Sequence, residues 1–217
     1  SATFQVLPTA DSKVEADETF TVSLGGVTGG HGSLSASAAS ATGTITNDDS
    51  AVFTIRQDAS GAEDGGPITF TIDLSNPVDE ATSVTVSTAD GTALTADSDY
   101  SALTGYVVNF AAGQTSATFQ VLPTADGKVE ADETFTVALG TVGGGHGSIS
   151  VSAITRVGTI ENDDTAFLTL AGTAASQPEG TGGTTTAFTF RVTLSAAVQG
   201  GFDVAYATND GTATVLD

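Results

Sequence analysis

"TADGKVEADETF" occupies residues 124–135, and "TADSKVEADETF" occupies residues 9–20 with a single residue changed. Each copy sets four carboxylates and one lysine in twelve residues, in a chain that has only five Lys and Arg in all. Residues three apart on a strand point to opposite faces, so Asp126, Glu130 and Glu133 cannot share one strand face. They are expected on a loop that curls back between the apolar-alternating stretches "SATFQVL" and "ETFTVAL".

The duplication extends outward. Ser1 to Leu24 matches Ser116 to Leu139 at an offset of 115, differing only at Ser12/Gly127 and Ser23/Ala138, and "TITNDD" at 44–49 returns as "TIENDD" at 159–164. "STADGTALTAD" at 87–97 reappears as "ATNDGTATVLD" at 207–217 with the offset grown to 120, which places an insertion in the first turn of a third copy, at "SQPEGTGGTTTAF". Self-similarity at this period marks domain-sized repeats in an array. The expected organisation is the back half of one repeat at 1–50, a complete repeat at 51–164 and the front half of another at 165–217. A longer natural chain is expected. Each half-repeat would expose apolar strand faces unless strands of an adjoining copy completed it.

Within the complete copy, "ITFTIDLS" puts Ile68, Phe70, Ile72 and Leu74 on one face and Thr69, Thr71 and Asp73 on the other. That period of two is a half-buried strand. It recurs in "SVTVSTA", "SATFQVL" and "ETFTVAL", where Phe119, Val121, Phe135, Val137 and Leu139 face inward. With "AVFTIRQ", "GYVVNF" and Ser148 to Ile160, about seven strands fit the repeat, punctuated by Gly, Pro, Asn and Asp. The pattern predicts an all-β, two-sheet Greek-key sandwich.

Composition narrows the function classes. A formal charge of −21 repels phosphate backbones and anionic lipid, which argues against nucleic acid and direct membrane contact and in favour of cations. The absence of cysteine removes disulfides and thiolate metal sites together. No run reaches the length of a membrane span, and the start "SATFQVLPTAD" has the form of no signal peptide. His31 and His146, in "GGHGS" and "GGGHGS", sit at equivalent positions of separate copies, so they are read as turn residues. Neither a nucleophile elbow nor a phosphate loop is present, and a non-enzymatic protein is expected.

If the early turn holding Glu63, the strand end holding Asp90, the loop holding Asp126, Glu130 and Glu133, and the closing Asn162, Asp163 and Asp164 meet at one end of the sandwich, seven carboxylates and an amide converge. Carboxylates about 4 Å apart repel by several kcal/mol at an effective dielectric of about 20, so such a cluster requires cations. An all-oxygen ligand set suits Ca²⁺ better than the smaller, strictly octahedral Mg²⁺. Asp97 and Asp99 are read as outer neighbours of such an ion or as a solvated turn.

"EADETF" preceded by an aspartate, "DGTA" followed by "DSDY", and the closing "TIENDD", in this order, resemble the Calx-β domain of sodium-calcium exchangers, an integrin subunit tail and large bacterial surface proteins. The resemblance implies tandem immunoglobulin-like sandwiches. It also implies calcium ligands at Glu63, Asp90, Asp126, Glu130, Glu133, Asp163 and Asp164, with Asn162 in place of an acid. Ala125 also stands where a second acid is usual, which suggests fewer or weaker ions. The half-copies keep Asp11, Glu15, Glu18, Asn47, Asp48 and Asp49, and then Glu179 and Asp210. The function expected is a calcium-stiffened structural segment of a long bacterial extracellular adhesin, fibre or surface protein, its partners being calcium ions and neighbouring repeats or chains. A module gripping a cell-surface glycan or protein, and a calcium-sensing regulatory domain, are the alternatives.

Overall fold

The computed structural model describes residues 1–30, 32, 34, 36, 40–174 and 176–213; His31 lies outside them. Among the described residues the chain is all-β, with one short 3-10 turn at Glu63–Gly65. It forms two compact units, residues 1–124 with 133–161, and residues 125–132 with 162–217. No described helix is long and apolar enough to cross a membrane.

The first unit contains β1 (Glu18–Ser23), β2 (Ser40–Ile45), β3 (Ser50–Ile55), β4 (Ala59–Ala62), β5 (Ile68–Leu74), β6 (Thr82–Asp90), β7 (Tyr106–Phe110), β8 (Ser116–Val121), β9 (Glu133–Gly144), β10 (Ser148–Val151) and β11 (Arg156–Glu161). Strands β10, β3, β5 and β8 form one sheet of a sandwich, and β4, β11, β9, β6 and β7 form the other. The alternation anticipated for β5 holds, with Ile68, Phe70, Ile72 and Leu74 buried, and they meet Val84, Val86, Phe135 and Val137 from the opposite sheet. Aromatic rings fill the middle. Phe70 stacks on its cross-strand neighbour Phe119 at 5.3 Å, and Phe135 lies 6.2 Å from Phe70 and 4.7 Å from Tyr100.

Two passes expected as single strands are each divided. β3 and β4 are consecutive pieces of the first pass, and β10 and β11 of the last; β3 runs parallel to β10 in one sheet and β4 parallel to β11 in the other. The chain therefore crosses between sheets at residues 56–58 and 152–155. Polar groups satisfy the backbone there: the Arg156 guanidinium donates to the carbonyls of Ile55 and Arg56, and Val157 N–H donates to Asp58 Oδ1. Seven passes in nine segments result.

Residues 1–7, which repeat β8 in sequence, form no ladder. β8 is held by β5 alone. Among the described residues of that copy the ladder is the β1–β2 pair, and Phe4 is 70% and Leu7 83% exposed. The second unit is likewise one antiparallel pair, β12 (Leu168–Gly172) with β13 (Phe190–Leu194), its apolar Leu170, Phe190 and Tyr206 exposed. Both pairs leave apolar side chains uncovered.

Gly158 shows how tightly the complete copy packs. It pairs with Phe135 across β11 and β9, and a Cβ there would stand 2.2 Å from the ring; Gly43 meets Phe20 in the same way at 2.4 Å. A methyl group at 158 must displace a fully buried aromatic ring, so Gly158→Ala should lower stability by about 1–3 kcal/mol. Gly127→Ala, at a position with open space around it, should be neutral in the same thermal-unfolding measurement. A second test concerns Asp73 on β5, which accepts two hydrogen bonds from Arg56, the residue just past the end of β3. The guanidinium first, and the Ser116 hydroxyl beside it, hold its carboxyl below the usual range, against the opposing effect of burial. A depressed carboxyl stabilises the fold above its unfolded pKa of about 3.9 and loses that effect as pH falls through the folded value. Asp73→Asn should therefore cost a little stability at neutral pH, and the difference from the parent should shrink to nothing in strong acid.

Candidate metal centre

The acidic loop has one architecture in both of its copies. Asp11 Oδ1 accepts the Lys13 N–H at 2.8 Å, closing a turn, and the Lys13 ammonium donates to Glu15 Oε1 at 2.7 Å. In the second copy Asp126 Oδ1 accepts the Lys128 N–H at 2.6 Å, and the Lys128 ammonium pairs with Glu130. Lysine is thus one answer to the crowded carboxylates. It is insufficient, for the loop holds four acids to one base.

Asparagine supplies the anchor. Asn47 Oδ1 accepts the Glu15 N–H at 3.0 Å, Asn47 Nδ2 donates to the Asp49 carbonyl at 3.0 Å, and Asn47 N–H donates to Asp17 Oδ1 at 3.0 Å. Asn162 repeats all three bonds, with Glu130 N–H at 2.8 Å, the Asp164 carbonyl at 3.1 Å and Asp132 Oδ1 at 3.1 Å. The amide that stands where the family pattern has an acid is therefore the bolt fixing the loop to the closing segment. Its role is accessible only through donor and acceptor bookkeeping: a carboxylate at that position could not donate to the Asp49 carbonyl.

In the first unit these ties gather Asp11, Glu15, Glu18, Asn47, Asp48 and Asp49 around one cleft of about 430 Å³, which Lys13 also lines. All six positions expected of that copy are brought together. Five carboxylates face one ammonium there, and the Lys13 pKa is raised, above all by its bond to Glu15.

Of the ligands expected for the complete copy, the first unit holds Glu63, Asp90 and Glu133. Glu63 opens the 3-10 turn after β4 and is 7% exposed; Glu133 opens β9 at 9% exposed, with a carboxylate oxygen within 4.8 Å of one on Asp99. From the sequence Asp99 is read as an outer neighbour of an ion or as part of a solvated turn. Ser98 before it adopts left-handed backbone (φ 73°), and Asp99 Oδ2 accepts the Leu94 N–H at 2.7 Å. Asp90 accepts three hydrogen bonds, from the Tyr100 hydroxyl at 2.7 Å and from the Thr95 N–H and hydroxyl. The Tyr100 bond chiefly holds the Asp90 carboxyl below its usual range, while burial, then Asp90, pushes the Tyr100 hydroxyl up to about 12. Fewer lone pairs remain for an ion at Asp90 than at an unencumbered carboxylate. Gly91, in the "DGTA" motif, is required by close approach, since a Cβ there would lie 2.5 Å from the Thr134 carbonyl.

The second unit holds Asp126, Glu130, Asn162, Asp163 and Asp164. Asp126 and Asp164 carboxylate oxygens lie within 4.8 Å of each other, and Asp164 Oδ2 is buried without a hydrogen-bond partner. A buried anionic oxygen in that state is costly unless a cation meets it. The all-oxygen donor set and this orphaned oxygen fit a hard divalent ion. Asp163, Glu179 and Asp210 are exposed. His146 keeps its place in a turn but is not solitary, since its Nε2 stands 3.0 Å from Glu80 Oε1.

If asparagine is the bolt, Asn47→Ala should cost about 1–3 kcal/mol, the sum of its two side-chain hydrogen bonds at about 0.5–1.5 kcal/mol each. Hydrogen exchange at the Glu15 amide should accelerate with it. Asn47→Asp should not restore the parent stability, because the carboxylate keeps the acceptor, loses the donor and adds charge.

A family model for the Calx-beta domain matches residues 1–50, 46–164 and 161–216. No curated protein matches the chain. Among solved structures it is similar to the apo-form Calx CBD1 domain, at 20% identity and a TM-score of 0.47, over 54% of this chain and 100% of that one. It is also similar to the Calx CBD2 domain, at 13% identity and a TM-score of 0.46, over 52% of this chain and 86% of that one. The calcium binding domain CBD12 of CALX1.1 matches at 21% identity and a TM-score of 0.46, over 54% of this chain and 49% of that one. With matches along nearly its whole length, the chain belongs to the Calx-beta domain family.

Proposed function

We propose that the chain is a calcium-binding structural segment of a long extracellular protein of the bacterial adhesin, fibre or surface type. The observation that carries the reading is the cleft in which five carboxylates face one lysine, held open by backbone ties and not by charge neutralisation. Calcium would be held in the first unit by Asp11, Glu15, Glu18, Asp48 and Asp49 and, separately, by Glu63 and Glu133, with Asp90 contributing less, and in the second unit by Asp126, Glu130, Asp163 and Asp164. It would supply the positive charge the protein lacks and would do no chemistry. The spacer role is supported by the near-identity of Ser1–Leu24 with Ser116–Leu139 and by the connection at Asp49–Ser50, where β3 begins with no intervening linker. A flexible joint would need several Gly or Ser residues.

Thermal unfolding of the whole chain with calcium and with EDTA tests the proposal. Calcium at about 100 times its dissociation constant stabilises by about 2.7 kcal/mol, which should raise the midpoint by roughly 5–11 °C; magnesium should do less. Glu130→Gln and Asp163→Asn should weaken binding in calorimetry, whereas Asp73→Asn, paired with Arg56 on a strand, should not. Identical melting curves and protease resistance with calcium and with EDTA would refute the reading.

A further inference from the structure

Between the carboxylates of the acidic loop stands a valine with no part in binding cations. Val14 is fully buried, although it lies on a loop whose neighbouring residues are only half-buried or exposed. Its N–H donates to the Pro77 carbonyl at 2.9 Å and its carbonyl accepts the Asp79 N–H at 3.0 Å, a parallel β-bridge to Val78, which is itself 1% exposed. Pro77–Asp79 belongs to the turn between β5 and β6 of the following repeat. The Val78 carbonyl is fixed from its other side by the Gly113 N–H at 2.8 Å.

The second unit repeats the backbone arrangement, with both valines half-buried. Val129 N–H donates to the Ala197 carbonyl and the Gln199 N–H donates to the Val129 carbonyl, both at 2.9 Å, bridging Val129 to Val198. The two turns read "SNPVDE" and "SAAVQG". Beyond the first serine they share only the valine, so the contact is made by backbone and one apolar side chain, and tolerates change elsewhere.

We infer that the acidic loop is a plug as well as a cation-binding loop, and that the turn after β5 is a socket for the plug of the repeat preceding it in the chain. The first junction then has two fastenings, the covalent crossover at Asn47–Ser50 and the plug, and two separated points remove the swivel that one would leave. Charge assists at the first junction: Lys13, beside the plug, lies in the field of Asp79 in the socket. Because Asp11 and Glu15 flank Val14, and Asn47 ties Glu15 to the crossover, a cation in the cleft orders the same backbone that presents the plug. This coupling rests on the calcium reading; the plug itself does not.

Amide hydrogen exchange on the whole chain, with calcium and with EDTA, separates the two. In calcium the Asp79 amide should exchange at least tenfold more slowly in the parent than in Val14→Asp, while the Val86 amide inside the sandwich is equally protected in both. Ser12→Gly, which copies the second loop, should match the parent. Should Val14→Asp also expose Val86, Val14→Ala replaces it, with the same expected order at Asp79. An Asp79 amide as fast in the parent as in these variants would overturn the plug. Equal Asp79 protection with calcium and with EDTA overturns the coupling alone, and calcium failing to shift the melting curve is the separate failure of the calcium reading.

Discussion

Like charges held close together in an irregular segment are the constraint on which the rest of this molecule turns. Nothing about a row of acids favours a compact loop, since at 4 Å each pair opposes folding by several kcal/mol at an effective dielectric of about 20. The loop is compact because its backbone is committed elsewhere: the Glu15 and Glu130 amides to asparagine oxygens, and the Val14 and Val129 amides to the carbonyls of a neighbouring turn. The hydrogen bonds set the geometry, and the electrostatics then create demand for a cation. The sandwich serves this arrangement by fixing where its elements begin. Glu133 is the first residue of β9 and Asp90 the last of β6, so ladder register delivers both side chains to strand termini without help from the loop.

The fold was legible because its signals are local and periodic. A period of two in "ITFTIDLS" names the buried residues, and Gly and Pro punctuation separates the passes. The division of the first and last passes was not legible: nothing in "AVFTIRQ" distinguishes a strand that continues from one that changes sheets, and the fastening comes from Arg156, a hundred residues away. The candidate site was legible as a set of acids and poorly legible as a mechanism. Charge is conspicuous in a sequence, and so Asp11, Glu15, Glu18, Asp48 and Asp49 stood out. The groups that hold them in place are a neutral amide, a lysine and a valine, each ordinary in a loop. A tighter reading of "KVEAD" had one usable clue, an apolar residue isolated between charges where a solvated loop has no use for one.

The near-identity of the two loops has a physical explanation in these overlapping commitments. One short segment must meet the hydrogen-bonding demands of its own closing asparagine, keep its carboxylates around a cleft, and present a valine to a neighbouring turn. A change acceptable to one of these partners is unacceptable to another, so few positions are free. Over the 24 residues from Ser1, the copies differ at only two, and both lie where the structure is indifferent. A Cβ at Gly127 would meet nothing within 4 Å, and Ser23 is an exposed residue at the end of β1. The socket, by contrast, asks only for a backbone edge and one valine, and its two examples diverge. Sequence freedom follows the number of partners each segment serves at once, and for that reason the acidic loop, lacking regular secondary structure, is written with less variation than the turn it touches.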